Sequence, residues 1–142
     1  MNDLPVTQAL SRTDPIKPLR PILLVAHAPL ASAWMHVLSH TFGAGSPLLH
    51  QIGVIDVPAD ANMTALHLEI SAQLQPNMLI LSDLYGASPH NAVVSALQSQ
   101  PDLSNVFLSG VSMATVIRAV THRHLDDVAL CEKLGQNTVM QI

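Results

Sequence analysis

The sequence has one cysteine, few charges and almost no aromatic residues, and each shortage removes a class of protein. A single cysteine, Cys131, excludes an internal disulfide and makes the cytoplasm the default compartment. Its place among the apolar positions of an expected helix suits a packed thiol. Charged residues are 11% against 49% hydrophobic, so the chain is neither disordered nor highly solvated. Apolar runs reach only about five to six residues, far short of a membrane span, and nothing at the start reads as a signal peptide. Residues 1–20 carry three bases (Arg12, Lys17, Arg20) and two acids, a net of +1. The remainder carries three bases (Arg118, Arg123, Lys133) and eight acids, a net of −5. A body that acidic, with aromatics at 3%, argues against nucleic acid as a ligand. So little charge on so apolar a chain points to a surface covered by another subunit.

What is present is an alternation of strand and helix patterns. A length of 142 residues suggests one domain, residues 21–142, behind a flexible N-terminal tail, residues 1–20, in which Pro5, Pro15 and Pro18 interrupt any period. Strands are expected at Ile22–Ala26, Gly53–Val57, Met78–Ser82 and Val106–Ser109, with a short last one at Thr138–Ile142. The first helix should run from Pro29 to Phe42 and turn Leu30, Trp34, Leu38 and Phe42 inward. The second should start at Asn62 and bury Met63, Leu66, Ile70 and Leu74; the third should be capped by Ser88 and bury Ala92, Val93, Ala96 and Leu97. Ser112 and Leu125 open two more. This order predicts an α/β fold, a doubly wound, mostly parallel open sheet of flavodoxin-like order 2-1-3-4 with a C-terminal edge strand. Strands 1 and 3 are then neighbours, and the crevice lies between their carboxyl ends.

Two residues stand at those ends. The run Ile22–Ala26 stops at His27, and the run ending at Ser82 stops at Asp83. A histidine at a strand end can be a general base, a metal ligand, a core residue or a nucleophile. A carboxylate on one ring nitrogen fixes the tautomer and leaves the other nitrogen's lone pair available. The helix N-termini after His27, Asp83 and Gly110 are expected to converge there, and their N–H groups with the Ser88 hydroxyl would make an anion site. The set suits a phosphoryl group held on imidazole, with the positive charge left to a partner. His36 and His40 have the i, i+4 spacing of a zinc pair but no third ligand nearby, so they read as a solvated face and no metal is expected. His122-Arg123-His124 reads as a polar inter-helix loop. The Gly86-Ala-Ser88 turn lacks the Gly-x-Ser-x-Gly of a serine hydrolase.

These residues also carry a resemblance. Val-Ala-His27-Ala-Pro-Leu30-Ala, Leu-Ser-Asp83-Leu-Tyr-Gly86-Ala-Ser88-Pro89-His-Asn91-Ala and Leu-Ser-Gly110-Val-Ser-Met resemble the mannose-type IIA component of the bacterial phosphoenolpyruvate-dependent sugar phosphotransferase system. The similarity spans roughly residues 21–142, and Asp-Leu-x-Gly-x-Ser-Pro-x-Asn-Ala is its most specific part. The resemblance implies a cytoplasmic phosphotransferase component without cofactor or membrane insertion. His27 would take a phosphoryl group on Nε2 from HPr or its nitrogen-branch relative and pass it to a IIB component. Asp83 would orient the ring, and Ser88, with Gly86 and Ala87, would hold the phosphate. Tyr85, His90, Asn91 and Ser112 would form the rim facing a partner. It further implies a homodimer that exchanges Thr138–Ile142 between subunits. The alternative is a regulatory binding protein whose histidine phosphorylation state controls a partner without sugar transport. The chain departs from the family pattern at Ala28, at Ala87, where a positive φ would cost about 1–2 kcal/mol, and at Gly110-Val-Ser-Met-Ala-Thr, where the family has Gly-Val-Asn-Leu-Pro-Met.

Overall fold

The computed structural model describes residues 19–135 and the backbone of residues 139–141. The chain runs β1 (Ile22–His27), α1 (Leu30–Phe42), β2 (Ile52–Val57), α2 (Met63–Gln73), β3 (Leu79–Ser82), α3 (Ser88–Gln98), β4 (Val106–Ser109), α4 (Met113–His122), α5 (Asp127–Leu134) and β5 (Val139–Gln141). The sheet order is β2-β1-β3-β4-β5, parallel through β4, with Val139–Gln141 antiparallel on the chain's own β4. The exchange of Thr138–Ile142 expected above involves a second copy. Thr138 and Ile142 lie outside the described residues.

Strand β1 is the spine, because successive side chains of a strand point to opposite faces. Ile22, Leu24 and Ala26 join Trp34 and Leu38 of α1 and Val116 of α4 on one side. Leu23 and Val25 join Leu66 and Ile70 of α2 and Val93 of α3 on the other. Both faces are covered, which is why the run is apolar without alternation. Each fully buried leucine there contributes about 1.5–3 kcal/mol.

Helix boundaries follow their caps. Asn62 Oδ1 accepts the Ala65 N–H at 2.9 Å and starts α2. Asp126 does the same for Ala129 at 2.9 Å, so α5 begins at Asp127, after the expected Leu125. Leu30 and Met63 were expected inward but are 37% and 42% exposed. Each is the first residue of its helix, at the carboxyl-end rim of the sheet where the opposing layer has ended. Burial and the neighbouring Asp127 push the Cys131 thiol up, against the opposing pull of Arg20, as a packed thiol requires.

The amino-terminal end of the sheet holds two buried cations. Arg20, assigned above to the tail, is buried: its guanidinium donates to Leu125 O at 2.8 Å and Asn77 O at 3.3 Å and pairs with Asp127 at 3.0 Å. The folded body therefore includes Arg20, while residues 1–18 lie outside the described part. Arg123 was read as a loop residue and is 2% exposed. It donates to the carbonyls of Arg20 at 2.9 Å, Leu48 at 2.8 Å and Gln51 at 3.4 Å. Burial draws this guanidinium down to about 10, still fully charged at neutral pH.

Candidate functional site

Parallel pairing of β1 with β3 brings the two strand-end residues together across 56 positions of sequence. His27 Nδ1 lies 2.8 Å from Asp83 Oδ2, and the same oxygen accepts the His27 backbone N–H at 3.2 Å. Asp83 Oδ1 accepts the Leu84 N–H at 3.0 Å, which fixes the plane of the carboxylate. A carboxylate can only accept, so Nδ1 carries the proton, and in the neutral ring the lone pair is on Nε2. The ring is 42% exposed while the Asp83 side chain is 9% exposed. A solvent-exposed imidazole is thus backed by a sheltered carboxylate.

The turn after Asp83 is built around Gly86. Its φ is +80°, and a side chain there would meet open space, so the glycine is required by backbone conformation and not by crowding. Ala87 is extended, at φ −82° and ψ 175°, so the alanine found here carries none of the cost considered above. Asn91 Nδ2 donates to Gly86 O at 3.0 Å and holds the turn against α3. Asn91, expected on the partner rim, is exposed but acts on its own loop. Ala87 is the N-cap residue of α3, and Ser88 is the first residue inside the helix. The exposed Ser88 hydroxyl is therefore not engaged in capping, and the first-turn N–H groups have no side-chain cap.

The three helix N-termini are not equivalent. Asp56, at the carboxyl end of β2, fills that of α1: Oδ1 accepts the Ser32 N–H at 3.0 Å, and Oδ2 accepts the Ser32 hydroxyl. A negative charge at this position complements the helix dipole and occupies the donors an anion would use. On α4, Ser112 stands at the N-cap, exposed, with its hydroxyl 3.4 Å from Thr115 Oγ1 and no cap bond to the backbone. Val111 N donates to Ser82 O at 3.2 Å and ties this loop to the end of β3. Of the three N-termini, those at the Gly86–Ser88 turn and the Gly110–Ser112 loop have no side-chain cap.

His90 departs most from expectation. It was assigned to an exposed rim and is 5% exposed, between Tyr85 and Phe107, with Nδ1 bonded to the Ser109 hydroxyl. Burial lowers its pKa, so the ring is neutral at pH 7. Exposed apolar side chains also stand at this edge: Leu30, three residues past His27, and Leu84 (56% exposed) and Tyr85 (60%) in the turn after Asp83. A groove of about 920 Å³, lined by Arg20, Asn77, Arg123 and Asp126, opens at the opposite end of the sheet, among residues that precede β1 and β3. His36 and His40 sit 6.4 Å apart between ring centroids on the exposed side of α1, with no third ligand among the described residues.

Residues 21–134 match the profile of a family described as the PTS system fructose IIA component. The chain belongs to this family. Its solved structural relatives include a phosphotransferase system component EIIA from Streptococcus agalactiae, with a TM-score of 0.73 and 20% identity over 82% of this chain and 90% of that one. A mannose/sorbose-specific IIA subunit from Enterococcus faecalis gives 0.70 and 20% over 83% and 88%. The PTS IIA protein associated with the fucose utilization operon of Streptococcus pneumoniae gives 0.67 and 17% over 83% and 88%. At these identities the likeness is one of fold. No protein of curated function matches the sequence significantly. The IIA fold thus places the His27–Asp83 pair at the strand β1–β3 switch point, where open α/β sheets bind their ligands. No helix among the described residues is long and apolar enough to cross a membrane.

Two features of this IIA site were missed in the sequence. Asp56 stands one residue before the end of β2, at the same edge of the sheet as His27 and Asp83. The buried His90 lies three residues before Val93 on the inward face of α3.

Proposed function

We propose that this IIA protein is a phosphocarrier that takes a phosphoryl group on His27 from an HPr-like histidine-phosphorylated carrier and hands it to a IIB component. The observation that carries the reading is the 2.8 Å contact between His27 Nδ1 and Asp83 Oδ2. The Nε2 lone pair attacks phosphorus, the Nε2–P bond forms, and the donor's P–N bond breaks with its electron pair returning to the donor imidazole. Nδ1 keeps its proton, so the phosphorylated ring of His27 gains positive charge, which Asp83 stabilises. Ser88, with the N–H groups around Gly86 and Ala87, receives the phosphoryl oxygens. The charged side chains bonded to His27 and to the first turn of α1 are the carboxylates Asp83 and Asp56. The cation that balances the transferring group then comes from the partner.

The protein works in the cytoplasm, in this reading, as a homodimer. The test is intact mass after incubation with phosphoenolpyruvate, enzyme I and HPr of the same bacterium. A gain of about 80 Da, labile in acid and absent in His27→Ala, is the expected result for one phosphohistidine. No gain when the carriers are shown to be charged would overturn the reading.

A further inference from the structure

We infer that His90 is a positioning residue for partner docking, a buried post that holds the exposed Tyr85 ring in the turn that follows Asp83. The inference rests on the phosphocarrier reading for its kinetic consequence and on packing for its structural one. Tyr85 is 60% exposed, in a turn between the exposed Leu84 and Gly86. A ring so placed would ordinarily sample several rotamers. Here its centroid lies 4.7 Å from that of His90, with the planes tilted by 55°. His90 is itself held in place: Phe107 of β4 packs against it at 5.2 Å, and Ser109 of the same strand bonds its Nδ1. Phe107, His90 and Tyr85 form one column from the sheet through the first turn of α3 to the surface. Asn91, the next residue, fixes the backbone of the same turn through Gly86 O. The helix therefore holds the turn twice, by its main chain and by its aromatic side chain.

A rigid, exposed tyrosine gives contact area without the entropy cost of ordering a free side chain on binding. Loss of the post should weaken docking and leave the chemistry of the His27–Asp83 pair alone. Tyr85→Ala is expected to raise the apparent KM for the phosphorylated carrier roughly three- to tenfold, with kcat little changed. His90→Ala should do the same, and the double variant should be no worse than either single one, because both remove one column. His90→Phe, which keeps an aromatic post, should restore KM. Tyr85 is the only tyrosine of the chain, so its ring proton shifts can be followed by NMR without phosphotransfer. They should be displaced from random-coil values in the wild type and His90→Phe, and collapse toward them in His90→Ala. Random-coil shifts in the wild type, additive kinetic losses, or a kcat loss at constant KM would each overturn the inference. A wild type that takes no phosphoryl group while its Tyr85 shifts are displaced would count against the phosphocarrier reading and leave the packing role standing.

Discussion

One oxygen of Asp83 accepts two hydrogen bonds from His27, the ring Nδ1–H at 2.8 Å and the backbone N–H at 3.2 Å. The imidazole and the end of its strand are thereby referenced to the same atom. Any rotation of the ring away from Asp83 leaves a largely buried carboxylate oxygen with one bond fewer, which holds the ring in a single pose.

Replacing Asp83 should therefore slow phosphoryl uptake far more than it harms folding. Asp83→Asn keeps an oxygen acceptor but removes the charge that balances a phosphorylated ring. A loss of about 10- to 100-fold in the uptake rate is expected, by analogy with partners that orient a reactive histidine. Timed quenching followed by intact mass measures it. An unchanged rate would remove the carboxylate from the mechanism.

The turn offers a paired control. Gly86→Ala forces a side chain onto φ +80° and should lower stability by about 1–2 kcal/mol, with slower uptake as the Ser88 hydroxyl shifts. Ala87→Gly, at an extended position, should leave uptake unchanged and soften the turn by no more than about 1 kcal/mol. Urea midpoints and uptake rates of the two variants should separate them; equal losses would contradict the assignment of strain to position 86.

Asp56 should behave as a helix cap supplied from a neighbouring strand. Asp56→Ala leaves the Ser32 N–H without its acceptor, and about 0.5–2 kcal/mol of stability should go with it. Asp56→Asn should keep most of that. Because the alanine variant also uncovers the α1 N-terminus, its affinity for inorganic phosphate should rise, and calorimetry can read the change.

His90 should make stability depend on pH. Burial lowers its pKa in the folded protein below the ordinary 6.5 of the unfolded chain. Between those two values the unfolded state binds the extra proton, so stability falls as the pH drops. The contribution is whole above pH 6.5 and gone below the lowered folded-state value. Denaturation midpoints at pH 7.5 and pH 5.5 should therefore differ more in the wild type than in His90→Phe. Equal differences would place the proton uptake elsewhere.

Much of this was legible in residue order. The uninterrupted apolar run before His27 required a strand covered on both faces, and right-handed crossovers then set β1 beside β3. Phase was legible too, but was overruled by residue type at His90. It lies three residues before Val93 and six before Ala96, on the inward face, yet a histidine was read as polar and exposed. The Ser88 cap failed for a related reason: a good capping residue was present, but the glycine turn ends one residue early and leaves Ala87 at the boundary. Arg20 and Arg123 were the least legible. Nothing local announces a buried guanidinium whose partners are main-chain carbonyls 57 to 105 residues away.

Those carbonyls give Arg123 a role in register. Strand β1 is apolar at every position from Ile22 to Ala26, so sliding it by one residue would exchange one greasy side chain for another and cost little by pattern alone. The slide would, however, carry Arg20 O away from the guanidinium and leave the buried Arg123 Nε–H without its acceptor, at a penalty of about 1–3 kcal/mol. A fixed charge at the far end of the sheet thus does for alignment what alternation does in other strands. It sets where the strand stops, and so which residue emerges beside Asp83.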